Sequence, residues 1–137
     1  MKIIHVINSM STACGGPART TLLTMQGTRS LGMDVEIVTN QPVPGKVAVS
    51  DDPSIRYLPP IGFQEKHWGY SKAIARELAK IKDVDIYHIQ GLWLYSGYIT
   101  ARYARKKGCP YLITLHGTLY PEAFAKSSFK KSTSLFL

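Results

Sequence analysis

The sequence predicts an α/β domain with a mainly parallel sheet flanked by helices, and three observations carry that prediction. Short apolar runs such as Ile3-Ile4-His5-Val6-Ile7 and Tyr111-Leu112-Ile113-Thr114-Leu115 are nearly continuous, as strands buried on both faces are. Between the runs lie longer segments with apolar residues at three- and four-residue spacings, the pattern of amphipathic helices. The two kinds of segment alternate along the chain, and such alternation builds parallel sheets through helical crossovers.

The elements follow in order. After the first strand comes the loop Ser11-Thr12-Ala13-Cys14-Gly15-Gly16, then a helix from Pro17 to Leu31. Pro17 suits a first helical turn because its φ is already helical and its missing N–H would have no partner there. Ala18, Leu22 and Met25 share the inner face of this helix with Leu23 beside them, Gly27 weakens it by about 1 kcal/mol relative to alanine, and Gly32 stops it. Val35–Thr39 is the second strand, and the proline- and glycine-rich stretch from Asn40 to Pro53 is a loop. Ile55–Leu58 is a third strand, halted by Pro59-Pro60, and Gly62 to Trp68 is irregular. A helix from Tyr70 to Lys82 places Ile74, Leu78 and Ile81 inward. Val84–Ile89 is a strand from whose end Gln90-Gly91-Leu92-Trp93 emerges, and a helix from Tyr95 to Lys107 is closed by Gly108. Tyr111–Leu115 is the last strand, His116-Gly117-Thr118 leaves its end, and Pro121-Glu122 opens a final helix.

The chain of 137 residues is of single-domain size, and 45% hydrophobic with 19% charged residues marks it as globular. No apolar run approaches the roughly 20 residues that span a bilayer. The opening Met1–Asn8 is too short and interrupted for a secretory signal, so a cytoplasmic protein with Cys14 and Cys109 as reduced thiols is expected. The formal charge is +8, and Arg102, Arg105, Lys106, Lys107, Lys126, Lys130 and Lys131 concentrate seven of the 17 basic residues near the end, against Glu122 alone. Such a bias suits an anionic partner, while a solvated helix face accounts for it equally well. Nucleic acid is not expected, because the aromatic–basic interleaving of the common modules is missing.

Right-handed crossovers put the glycine loop, Gln90-Gly91-Leu92-Trp93 and His116-Gly117 at the same edge of the sheet, where open α/β sheets bind ligands. Gly15 and Gly16 leave the backbone bare before the free N–H groups of a helix start, an arrangement that receives phosphate. A tight turn needing glycine φ values is the other reading of that loop, and the order of the other two motifs favours the phosphate cradle. Arg19 stands near the same helix end. His116 ends a buried-type strand at the crevice and can hydrogen-bond a ligand hydroxyl or phosphate, or else a neighbouring carbonyl. His88 and His5 lie within strands and read as structural. Trp93 and Tyr95 can stack on a sugar or pack against helices. No Ser-His-Asp signature, P-loop or metal-ligand spacing is present, so no metal is expected.

These stretches together resemble the N-terminal half of a GT-B glycosyltransferase of the large retaining family often called family 4 or group 1. Met1–Val6 with Gly15-Gly16-Pro17-Ala18-Arg19 resembles the family's first strand and glycine-pair loop. Asp85-Ile86-Tyr87-His88-Ile89-Gln90-Gly91 resembles its Asp-hydrophobic-hydrophobic-His-hydrophobic-His-Gly strand, and Thr114-Leu115-His116-Gly117 its Thr-hydrophobic-His-Gly strand end. The resemblance implies a Rossmann-like domain spanning residues 1–137 and binding the acceptor, opposite a C-terminal donor-binding domain that these residues do not include. It implies a nucleoside-diphosphate sugar as co-substrate rather than a bound cofactor, transfer to a glycan or lipid-linked acceptor with retention, and a setting in surface-polysaccharide assembly. By the same resemblance Gly16, with Gly15 beside it, approaches the donor diphosphate, and His116 is catalytic beside the donor sugar; with the site so placed, Arg19, able to reach an anion, falls on the diphosphate side, and Trp93 and Tyr95, able to stack on a sugar, are assigned to the acceptor side. The basic end would touch an anionic membrane at the inner face of the plasma membrane.

Two departures from the family pattern stand out. Gln90 replaces a frequent second histidine. Glu36, Glu65, Glu77 and Glu122 are 29, 12 and 45 positions apart, so the donor domain's pair of glutamates with seven residues between them is absent. The chain alone is therefore expected not to turn over donor, and to bind nucleotide weakly or not at all. The alternative is a non-catalytic α/β module that binds a nucleotide or sugar, or a subunit of a split enzyme.

Overall fold

A computed structural model describes residues 1–59 and 69–122. Five strands, β1 (Lys2–Ser9), β2 (Asp34–Asn40), β3 (Ile55–Leu58), β4 (Ile86–Gln90) and β5 (Tyr111–Thr114), form one sheet in the order β3-β2-β1-β4-β5. Every neighbouring pair is parallel. The expected α/β, Rossmann-like arrangement is thus the one the chain adopts. Strand order runs outward from β1 in one direction through β2 and β3, and in the other through β4 and β5. The reversal opens a crevice beyond the carboxyl ends of β1 and β4.

Three helices cover the sheet: α1 (Gly16–Ser30), α2 (Lys72–Lys80) and α3 (Tyr95–Lys107). On one face α1 closes a core of Ile7, Met10, Ala18, Met25, Val35, Ile37 and Ile55. On the other, α2 and α3 close a core of Ile4, Val6, Val38, Ile74, Leu78, Ile81, Tyr87 and Ala104. Alternate residues of β1 therefore feed opposite cores, as the twofold period of a strand demands.

The segments depart from expectation in instructive places. Leu23 is 58% exposed, and Thr21 takes the inward position beside Ala18 and Met25. Burial of that hydroxyl is tolerated because Thr21 Oγ1 donates to Pro17 O at 2.7 Å. The second helix is shorter than its apolar pattern suggests: Ser71 caps it by accepting from Ile74 N, and Ile81 at its end is extended yet still packs in the core. In α3 the inner face carries Ser96, Gly97, Thr100 and Ala104, small residues that let the helix lie close to the sheet. Gln90 belongs to β4 itself, and Leu115 falls outside β5, in the turn that follows. Pro121 and Glu122 are helical, whereas the rest of the expected last helix, the irregular stretch 62–68 and Lys126, Lys130 and Lys131 lie outside the described residues.

Arg56 on β3 ties the sheet to α2. Its guanidinium pairs with Glu36 of β2 and with Glu77 of α2. Cys14 follows the carboxyl end of β1, whereas Cys109 precedes β5 at the opposite end of the sheet, so the two thiols are unbridged. Among the described residues no helix is long and apolar enough to cross a membrane.

Candidate functional site at the strand ends

An open cavity of about 290 Å³ occupies the crevice. Ile7, Asn8 and Ser9 from the end of β1 form its floor, and Gln90 and Gly91 from the end of β4 its flank. Cys14 and Pro17 reach it from the glycine loop, Leu94 from the approach to α3, and His116 and Thr118 from the turn after β5. The three motifs singled out in the sequence thus meet in one place.

The glycine loop is a short 3-10 turn, Thr12–Cys14, that runs straight into α1. Ser11 Oγ accepts from Ala13 N, and Thr12 N donates to Val47 O, so the long loop after β2 braces it. Gly15 caps α1 at φ 60° and ψ −130°, a conformation open to glycine and costly for other residues. Among the described residues no side chain caps this helix end. A Cβ at Gly15 or Gly16 would meet nothing within 4 Å among the described residues. Bare backbone and an uncapped helix N-terminus are features an anion site requires, and Gly15 and Gly16 themselves lie outside the cavity lining, which the loop reaches through Cys14 and Pro17. Arg19 is exposed in the first turn of α1 and lies outside the cavity lining.

The turn after β5 holds His116 at φ 46° and Gly117 at φ 74°, with Thr118 N and Thr118 Oγ1 both donating to Leu115 O. Two successive positive φ values mark a type I′ geometry. A histidine in this region is strained by an amount on the order of 1 kcal/mol. Trp93 Nε1 donates to Thr118 O at 3.3 Å and ties this turn to the loop after β4. Trp93 lines an adjoining cavity of about 230 Å³ with Tyr98, Arg105 and Ile113, which shares Gly91 and Leu94 with the first. Tyr95 lines neither cavity; it is 7% exposed and packs against Tyr70 with ring centroids 4.6 Å apart.

A polar chain runs beneath the cavity. Gln90 Nε2 donates to His5 Nδ1 at 3.1 Å, and Gln90 Oε1 accepts from His116 Nε2 at 2.8 Å. His88 Nε2 and Thr114 Oγ1 share a hydrogen bond of 2.7 Å across β4 and β5. All three histidines are held below the usual imidazole range by burial; His5 is pushed down to about 4, with His88 adding to the effect, and His88 itself is lowered further by His116. Near neutral pH these rings are therefore uncharged hydrogen-bonding groups. Sequence reasoning treated His5 and His88 as separate strand residues, because register between strands is what joins them: His5 pairs with His88, and Ile7 with Gln90.

Among the described residues no group of three or more His, Cys, Asp or Glu side chains could hold a metal ion. The residues lining the cavity bring the amides of Asn8 and Gln90, the hydroxyls of Ser9 and Thr118, the thiol of Cys14 and the imidazole of His116, with no carboxylate among the described lining residues. Such a surface suits a ligand that joins an anion to hydroxyl groups. No curated protein matches the chain significantly. Residues 15–137 match the family of the glycosyl transferase 4-like domain, a span that includes α1, the end of β4 and the turn at His116, and the chain belongs to that family.

Proposed function

We propose that the chain is the acceptor-side domain of a retaining GT-B glycosyltransferase that moves a sugar from a nucleoside-diphosphate donor to a glycan or lipid-linked acceptor. The observation that supports this is that the loop carrying Gly15-Gly16 reaches, through the flanking Cys14 and Pro17, the same cavity that His116 lines. The backbone at Gly15 and Gly16 faces the donor diphosphate, with the dipole of α1 favouring its charge. Arg19 adds long-range attraction from outside the cavity rather than a contact within it. His116 meets a hydroxyl of the donor sugar near the reacting carbon. Trp93 in the adjoining cavity serves the acceptor, while Tyr95 supports the wall behind it through Tyr70.

A second, nucleotide-binding domain completes the site across the crevice, because the 137 residues lack the paired glutamates described above. The exposed Arg102, Arg105, Lys106 and Lys107 of α3 are a basic surface suited to an anionic membrane, which would bring the enzyme to a lipid-linked acceptor.

The protein expressed from its whole reading frame should be offered a panel of labelled nucleoside-diphosphate sugars with membrane lipid and glycan acceptors. Transfer from one of them, with the anomeric configuration of the donor kept in the product, supports the reading. Binding of a nucleotide sugar with no transfer or hydrolysis under any acceptor condition would favour a non-catalytic sensor instead.

A further inference from the structure

We infer that Gln90 is a positioning residue that holds His116 with its proton on Nε2 and leaves Nδ1 as the ring's acceptor. Gln90 is the last residue of β4 and only 5% exposed, so its amide is held by the sheet on one side and by two histidines on the other. An amide has one donating and one accepting end. Its NH2 donates to His5 Nδ1, which places the His5 proton on Nε2; its oxygen then accepts from His116 Nε2–H. A buried ring on β1 thereby sets the protonation pattern of a cavity ring on the turn after β5.

The arrangement leaves one buried polar atom unpaired. His5 Nε2 is buried with no hydrogen-bond partner among the described residues. His116 is also kept in a positive-φ turn, so both its backbone and its ring are constrained. The titratable neighbours are His5 of β1, His88 of β4 and Cys14 of the glycine loop; the cavity lining contributes no carboxylate. Gln90 thus supplies a neutral acceptor where a carboxylate would draw a second proton onto His116. For a donor sugar, the result is a neutral imidazole whose Nδ1 can accept a hydrogen bond from a hydroxyl group.

The consequence for a sugar rests on the transfer reading, whereas the protonation pattern can be read without any ligand. Two-bond proton–nitrogen correlation spectra of the 15N-labelled 137-residue chain should show neutral His5 and His116 both protonated on Nε2. Gln90→Glu removes the donating end, so His5 should switch its proton to Nδ1, and the titration midpoint of His116 should rise by roughly one unit or more. A wild-type spectrum with His116 protonated on Nδ1 overturns the inference, and so does a folded Gln90→Glu protein in which His5 keeps its Nε2 proton. Should that variant not fold, the wild-type spectrum decides alone. If the protonation pattern is as stated but the whole enzyme transfers no sugar, the transfer reading fails and the role of Gln90 in orienting His116 stands.

Discussion

His5 and His88 stand side by side on adjacent parallel strands, their ring centroids 4.6 Å apart and tilted by 41°. The pairing puts two titratable rings where a core of this type would ordinarily hold aliphatic side chains. His5 is 1% exposed and its folded pKa is about 4, against 6.5 for the free side chain. The unfolded chain therefore binds more protons than the folded one between these values. Stability is full above about pH 6.5 and falls as pH drops through 4, with a loss of about 3 kcal/mol from this group. Urea midpoints measured between pH 7.5 and pH 4 check this, and His5→Gln should flatten a large part of the decline. An equally steep decline in His5→Gln would place the acid sensitivity elsewhere.

Arg56 joins β2, β3 and α2 through two carboxylates that are themselves largely buried, with side-chain exposures of 16% for Glu36 and 14% for Glu77. Lys2 lies 3.4 Å from Glu36 and Lys80 lies 3.6 Å from Glu77, so neither carboxylate is left without a cation when Arg56 is removed. Arg56→Met should therefore cost only about 1 kcal/mol of stability, part of it restored by Glu77→Gln in the same chain. Chemical denaturation of the single and double variants measures both terms.

Two helical glycines should respond in opposite directions. Gly27 sits in α1 with open space where a Cβ would be, so Gly27→Ala should stabilise the protein by about 0.5–1 kcal/mol. At Gly97 a Cβ would stand 3.1 Å from Ile89 Cγ2 and 3.2 Å from Gly91 O, at the point where α3 presses on the end of β4. Gly97→Val should destabilise by about 1–3 kcal/mol through this crowding. Amide shifts of Gly91 and His116 should move in the Gly97 variant and stay in place in the Gly27 variant.

The sheet, its helices and the edge at which the three motifs meet were legible in the sequence because each rests on local pattern. Ile3–Ile7 and Tyr111–Thr114 announce strands by their apolar content, and Gly15-Gly16-Pro17 announces a helix start by chemistry within three residues. His116 could be placed at the crevice from the end of its strand alone. The bridge from His5 through Gln90 to His116 was not legible, since it depends on β1 lying beside β4 in register, a relationship between residues 85 positions apart. The partner of Tyr95 was not legible for the same reason: nothing local says that a tyrosine opening a helix will turn inward onto Tyr70. A histidine spaced like any strand residue carries no mark of the partner that gives it a role.

The central claim is that the ring of His116, held over the cavity, acts on the donor sugar. His116→Asn tests it most directly, because asparagine tolerates the positive φ of this turn while removing the imidazole. The measurement is the rate of sugar transfer by the whole enzyme carrying that change, beside its unfolding midpoint. Transfer should fall by roughly 10²–10³ in kcat/KM with stability within about 1 kcal/mol of the parent. Unchanged transfer by a folded His116→Asn enzyme would contradict the account.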